Sequence, residues 1–188
     1  MHLYLIRHGQ SVPNFEKRHS GWSMLPLTEK GFADARRAGE KIKEIPFDRV
    51  YSSDLTRAVQ TARTALPDIE PTQLELIRER SVGSLMERFF EDCAAAHGEA
   101  YWAARASLDF TPFGGDNADM VRARAAEFLQ MLVNDPAENI AAFTHGGFIM
   151  HCIEHALDTR FSVKNIAIEN GSVVHLKYDG DHWRLIIE

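Results

Sequence analysis

Arg7 and His8 stand side by side at the end of a short apolar run, Leu3-Tyr4-Leu5-Ile6, and Gly9 follows them. That order places a fixed cation and an imidazole together, with a glycine after them that lets the backbone come close. A positive neighbour disfavours protonation of the ring and leaves one ring nitrogen with a free lone pair. The other nitrogen should donate to a carbonyl oxygen, which fixes the tautomer. An imidazole held this way can act as a nucleophile. Standing alone, however, Arg-His-Gly reads first as a solvated strand end. Arg57 alone reads in the same way as a surface arginine, and Glu79 or Glu87 as a solvated charge.

Elements that could position these side chains follow from the hydrophobic pattern. Leu3 to Ile6 reads as a buried strand. A loop should follow, through Gly9, Pro13, Asn14, Gly21 and Pro26. Thr28 is placed to cap a helix with Ala33, Ala38 and Ile42 among its periodic positions, ending before Pro46. Phe47 to Tyr51 reads as a strand, and Ser52-Ser53-Asp54 as the cap of a helix from Leu55 to Leu66. A short third strand is expected near Leu74 to Ile77, and helix over 84–106. Asp116 or Asn117 should cap a further helix to about Val133. Ile140 to Thr144 reads as a strand, and His145-Gly146-Gly147 leads into a helix to about Leu157. A closing hairpin is expected: Ile166 to Glu169, a turn at Asn170-Gly171, then Val173 to Tyr178, with one more strand after Asp179-Gly180. Strands alternating with helices imply an α/β sandwich, a mostly parallel central sheet flanked by helices in three layers. Ligands of such sheets bind outside the carboxyl ends of the strands. The loops that start at Arg7, Ser52 and His145 can therefore meet at one site.

Taken together the segments carry a resemblance. Arg7-His8-Gly9 with Ser11 and Asn14, His19-Ser20-Gly21-Trp22, Pro26-Leu27-Thr28-Glu29-Lys30-Gly31, the stretch from Val50 to Ala62 and Thr144-His145-Gly146-Gly147 occur in this order over residues 1–150. In that set the chain resembles the histidine phosphatase superfamily, also called the phosphoglycerate mutase-like family. The resemblance implies His8 as nucleophile, with Arg7, Arg57 and His145 around the transferred phosphoryl group and Asn14 as a neutral donor. Gly146 would add to the phosphate site. It implies Glu79, in Ile77-Arg78-Glu79-Arg80, as the acid that protonates the leaving oxygen, with Glu87 as rival. Val82 departs from the aromatic usual in the mutases, and the acidic-Gly ending common in the phosphatases is absent after Leu85. Ser20 and Gly21 match positions that contact the rest of the substrate.

The resemblance also implies a fold and an activity. The expected fold is phosphoglycerate mutase-like, one domain over 1–188 with a lid at about 80–115. Aromatics such as Phe89, Phe90, Tyr101, Trp102, Phe110 and Phe113 lie in that lid and read mainly as packing. The expected reaction is metal-independent hydrolysis of a phosphomonoester, like that of the histidine acid phosphatases, through a phosphohistidine and with no cofactor. The alternative is phosphoryl transfer within phosphoglycerate; the family's mutases are longer, through lid and tail segments, which favours hydrolysis here. A non-enzymatic phosphate-binding module is disfavoured, because none of the reactive residues is replaced. His151-Cys152-Ile153-Glu154-His155 fits a zinc-peptidase pattern with two histidines one helical turn apart. It follows His145-Gly146-Gly147 directly and lacks a clear third ligand, so it is expected to be structural and no metal is expected.

Bulk properties bound the partners. The chain has 188 residues, 45% hydrophobic and 26% charged, which suits one large domain. A net charge of −6 disfavours nucleic acid while leaving room for a small phosphorylated metabolite bound by a local cluster of positive charge. No apolar run reaches the roughly 18 residues of a membrane helix, and no signal peptide is expected. Two cysteines, Cys93 and Cys152, make no disulfide framework, which points to the cytoplasm. Nothing in the sequence specifies an oligomeric state.

Overall fold

The computed structural model describes residues 1–159 and 167–187. Its centre is a six-stranded mixed sheet in the order β3-β2-β4-β1-β5-β6. The strands are β1 (His2–Arg7), β2 (Arg49–Ser52), β3 (Thr72–Gln73), β4 (Asn139–Thr144), β5 (Val173–Tyr178) and β6 (Trp183–Ile186). The pairings β1–β4, β2–β4 and β2–β3 are parallel, and β5 turns antiparallel to both β1 and β6.

Alternation along β1 and β4 builds the three layers. Leu3, Leu5, Ile140 and Ala142 face one way, onto α5 (Ala118–Val133) and α6 (Gly146–Ala156), which contribute Phe128, Leu132, Phe148 and Ile149. Ile6, Ala141 and Phe143 face the other way, onto α2 (Glu29–Ile42) and α3 (Thr56–Ala65) through Ala38, Ile42, Ala62 and Ala65. A third apolar cluster, of Val82, Leu85, Cys93, Tyr101, Ala104 and Phe110, forms apart from the sheet around α4 (Phe90–Ser107). Cys93 and Cys152 are both buried, unpaired thiols.

Several local expectations are corrected. The segment expected to be all loop contains α1 (Val12–Glu16), entered through Ser11 with Pro13 in its first turn, a position where the missing N–H costs nothing. The third strand falls at Thr72–Gln73, and Glu75–Ile77 is a 3-10 turn. Leu55, not the preceding Ser-Ser-Asp, is the residue before α3; Asp54 instead pairs with Arg78. The helix expected over 84–106 starts only at Phe90, after a separate 3-10 turn at Gly83–Leu85 and a non-helical stretch over 86–89, and is broken at Gly98, whose φ of 53° is open to glycine. Residues 167–169 are not a strand, and Ile166 lies outside the described residues. Thr28 and Asn117 cap α2 and α5 as expected, each accepting from the N–H three residues on.

The loop after β1 is fixed by a close crossing with the start of α2. A Cβ on Gly9 would lie 2.1 Å from the Gly31 carbonyl oxygen, and one on Gly31 2.0 Å from that of Gln10. Neither position has room for any side chain. The Gln10 carbonyl accepts from the Thr28 N–H at 2.9 Å, and Asp34 accepts from the Gln10 N–H at 3.1 Å.

Candidate active site

Strand register brings the two central histidines together. Arg7 pairs with Thr144 across the parallel β1–β4 ladder, so both strands end level. The next residues, His8 and His145, therefore emerge side by side, with the His8 N–H donating to the Thr144 carbonyl at 3.0 Å and ring centroids 5.1 Å apart. Both rings are buried. His8 Nδ1 lies 2.7 Å from the Gly9 carbonyl oxygen, which can only accept, so Nδ1 carries the proton. Nε2 then presents its lone pair, and Arg57 Nε donates to it at 3.2 Å. The Asn170 side chain holds the His8 carbonyl at 2.8 Å.

Arg57 sits in the first turn of α3 and is fully buried. Its terminal nitrogens donate to the Ser23 and Gly21 carbonyls at 2.9 and 2.8 Å, so the loop after α1 grips the guanidinium. Thr61, one turn on, accepts from the Gly9 N–H at 3.0 Å and ties the helix to the His8 loop. Arg7 donates to the Ile168 carbonyl, while its buried Nε has no partner among the described residues. Both ring nitrogens of buried His145 likewise lack partners. A Cβ on Gly146, the first residue of α6, would touch Arg7 Nε at 3.4 Å, so the positive end of that helix meets the arginine. Asn14 accepts from the Ser11 N–H at 3.2 Å, and its amide approaches Ser20 Oγ at 3.5 Å.

A cavity of about 490 Å³ opens beside these groups, lined by Arg7, Ser20, Gly21, Glu79 and Arg80, with Phe90 and Phe110 among its apolar walls. Glu79 is held by two main-chain donors: its Oε1 accepts from the Arg80 N–H at 2.9 Å and its Oε2 from the Gly147 N–H at 3.1 Å. A Cβ on Gly147 would lie 2.3 Å from Glu79 Oε1, so this glycine leaves the space that the carboxylate fills. Trp22 Nε1 and Arg124 fix the Glu79 carbonyl at 2.7 and 3.1 Å. Arg78, bound to Asp54, lies over the Trp22 ring with its carbon 4.8 Å from the centroid. Glu87 is exposed and does not line the cavity.

The structure thus gathers Arg7, His8, Arg57, Glu79, His145 and Gly146, with Ser20 and Gly21 on the cavity wall and Asn14 beside Ser20. Asn170, Thr61, Trp22 and Arg124, to which sequence reasoning gave no role, support them. They act mostly through main-chain groups, and their residue types carry no signal for that. Of the zinc-like pair, His151 is buried against Glu154 and Arg80, and His155 is exposed.

Burial, then Arg57 and Arg7, keeps the His8 pKa well below 6.5. Burial and the same arginines do so for His145, and burial and Arg105 bring His19 down to about 4. The unfolded chain takes up these protons as pH falls below 6.5, while the folded chain refuses them. Stability is therefore fully present above pH 6.5 and falls as pH drops from there toward 4. Each ring contributes up to about 1.4 kcal/mol per pH unit. Urea unfolding at pH 7.5, 5.5 and 4.5 measures this, and equal stability at all three would contradict it.

Comparison with known proteins places the site in context. A family model described as histidine phosphatase superfamily (branch 1) matches residues 3–187. The chain is 36% identical over 158 residues to 2,3-bisphosphoglycerate-dependent phosphoglycerate mutase 2 of Gloeobacter violaceus, covering 78% of this chain and 71% of that one. Among solved structures it matches Bacillus stearothermophilus YhfR at a TM-score of 0.91 and 27% identity, covering 100% of this chain and 96% of that one. A mycobacterial glucosyl-3-phosphoglycerate phosphatase complexed with VO3 matches at a TM-score of 0.87 and 25% identity, covering 99% and 97%.

Proposed function

Because the chain belongs to the histidine phosphatase superfamily, we propose that it hydrolyses a small phosphomonoester without a metal, through a phosphohistidine on His8. The observation that carries this reading is the set of buried groups left without partners among the described residues: Arg7 Nε and both nitrogens of His145, beside the lone pair of His8. Buried polar atoms are normally satisfied. A phosphoryl group would supply acceptor oxygens to Arg7, Arg57 and His145 while its phosphorus meets His8 Nε2. Phosphoryl transfer spreads charge over three equatorial oxygens, so positioning and electrostatic stabilisation do most of the work. In the first step the Nε2–P bond forms, the ester P–O bond breaks and Glu79 gives its proton to the departing oxygen. In the second step Glu79 takes a proton from water as its oxygen attacks phosphorus, which releases phosphate and restores His8. Asn14 and Gly146 help hold the phosphoryl oxygens, Ser20 and Gly21 border the alcohol, and the segment around α4 acts as the lid over a single domain. The unpaired cysteine thiols suit a cytoplasmic protein.

Phosphate release from a panel of phosphomonoesters, with and without a chelator, tests the proposal. Release that survives the chelator is expected; no release from any member would refute hydrolysis, and release lost to the chelator would refute metal independence. Replacing Glu79 separates the acid from the nucleophile. Glu79→Gln should lower turnover of alkyl phosphates about 10²–10⁴-fold and of p-nitrophenyl phosphate far less, since nitrophenolate leaves almost unaided. Gly147→Ala should show the same pattern, because its Cβ needs the space of Glu79 Oε1. Equal losses on both substrates would remove Glu79 from the role.

The 36% identity to a phosphoglycerate mutase supports a second reading, phosphoryl transfer within one metabolite. Retention of the intermediate away from water would be required. The match to a phosphatase structure over nearly the whole of both chains supports hydrolysis. The products from 3-phosphoglycerate, an isomer or free phosphate, decide between the two.

A further inference from the structure

The carbonyls that hold Arg57 belong to a turn that is itself fastened to the α4 segment. Arg57 donates to the Gly21 and Ser23 carbonyls, and the Ser23 N–H closes the turn onto the Ser20 carbonyl at 2.8 Å. His19 leads into that turn and is clamped on both main-chain sides. Its N–H donates to the Arg88 carbonyl at 3.0 Å, and its carbonyl accepts from the Glu87 N–H at 2.8 Å. Glu87 has a φ of 63°, a left-handed conformation that residues other than glycine rarely adopt. The Phe90 N–H, at the start of α4, donates to the Lys17 carbonyl at 3.1 Å. Gly21 packs against the same cluster: a Cβ on it would lie 2.6 Å from Val82 Cγ2.

Three side chains complete the attachment. His19 Nε2 lies 2.9 Å from the Tyr101 hydroxyl, and Arg105 Nη1 donates to the same hydroxyl at 3.2 Å. An arginine can only donate, so the phenol oxygen accepts from it and turns its own proton toward His19. His19 Nε2 is then the acceptor, and Nδ1 carries the ring proton. The reverse tautomer would leave the Tyr101 O–H without an acceptor among the described residues, although Tyr101 is fully buried. With its pKa at about 4, His19 is neutral at pH 7 and keeps that acceptor.

These bonds form one path. It runs from Tyr101 on α4 through His19 to the Gly21 and Ser23 carbonyls, then through Arg57 to the His8 lone pair. We propose that His19 and Tyr101 are positioning residues, and that the hydrogen bond between them seats the turn over residues 20–23 and so sets the plane of the Arg57 guanidinium at His8. Neither residue has to touch the transferred phosphoryl group; both act through Arg57. The kinetic test of this rests on the phosphatase reading.

Tyr101→Phe isolates the bond, because the ring keeps its place in the cluster and its edge contact with His19. Without the bond the turn relaxes and Arg57 shifts, which should lower kcat about tenfold or more. The loss should be equal for p-nitrophenyl phosphate and an alkyl phosphate, unlike that of Glu79→Gln, because Arg57 serves the phosphoryl group and not the leaving oxygen. His19→Phe should match it, and His19→Gln should recover most of the rate, since an amide oxygen can accept from Tyr101. In an Arg57→Lys background, Tyr101→Phe should change kcat less than about twofold, because the alignment it supports is already gone. Equal losses in both backgrounds, a loss confined to the alkyl ester, or wild-type kcat in Tyr101→Phe would overturn the proposal. Should Tyr101→Phe not fold, the same comparisons on His19→Phe and His19→Gln decide. If the wild type releases phosphate from neither ester, hydrolysis has failed instead. Calorimetric affinity for inorganic phosphate then decides the positioning. Weakening by Tyr101→Phe in the wild type but not in Arg57→Lys supports it, and equal weakening, or none, overturns it.

Discussion

His8→Ala is expected to reduce phosphate release by at least about 10³-fold, to the residual rate that binding and electrostatics alone provide. The ring supplies the attacking nitrogen, and no neighbour can replace it in kind. Arg57 and Arg7 are protonated, and His145 starts from the next strand over. The variant should also lose the phosphorylated species that intact-protein mass spectrometry detects after a rapid acid quench of the wild type. Its fold should survive. The lost Nδ1 bond to the Gly9 carbonyl costs about 1 kcal/mol, and removing a buried ring that resists protonation offsets part of that loss below pH 6.5. Turnover within tenfold of the wild type would refute His8 as nucleophile, whatever becomes of the other residues.

Arg57→Ala should damage activity and stability together. Three partners lose their donor at once: the Gly21 carbonyl, the Ser23 carbonyl and His8 Nε2. Leaving buried acceptors unpaired costs about 1–3 kcal/mol each; water entering the vacated space should hold the sum to about 3–5 kcal/mol. Activity should fall about 10³-fold or more, as expected when a guanidinium is withdrawn from a phosphoryl group. Arg57→Lys separates the two effects. The ammonium keeps the charge but cannot hold both carbonyls and the imidazole in one plane, so part of the stability should return with little of the activity. Urea melts and phosphate release measured on the same preparations read both. A destabilisation of Arg57→Ala under 1 kcal/mol would refute the anchoring role, and activity within tenfold would refute the catalytic one.

The sequence shows most of the scaffold and less of what aligns the site. The parallel strands, the capped starts of α2 and α5 and the glycines after His145 are local patterns that survive folding unchanged. The third strand and the cap of α3 were misplaced for a physical reason. Leu74 to Ile77 is apolar because Leu74, Leu76 and Ile77 pack against the sheet core from a turn, and Asp54 looks like a cap but is drawn to Arg78. The meeting of His8 with His145 depends on the register of two strands far apart in the chain, which no local pattern encodes. The placing of Glu79, and not Glu87, on the cavity wall depends on the Gly147 N–H, which comes from α6. The pairing of His151 with Glu154 is visible in the sequence only as a spacing, and that spacing suggests a metal until Arg80 is seen to donate to Nε2.

The third apolar cluster shares no residue with the two that flank the sheet. Substitutions that remodel the walls around Phe90 and Phe110 should therefore add their effects to those in the sheet core with little coupling. A lineage built on this plan can try new alcohols above the phosphoryl site while the scaffold keeps its own reserve of stability, since a failed experiment in one cluster does not loosen the other two. Divergence of substrate without divergence of chemistry is the evolutionary path that such a division of the interior opens.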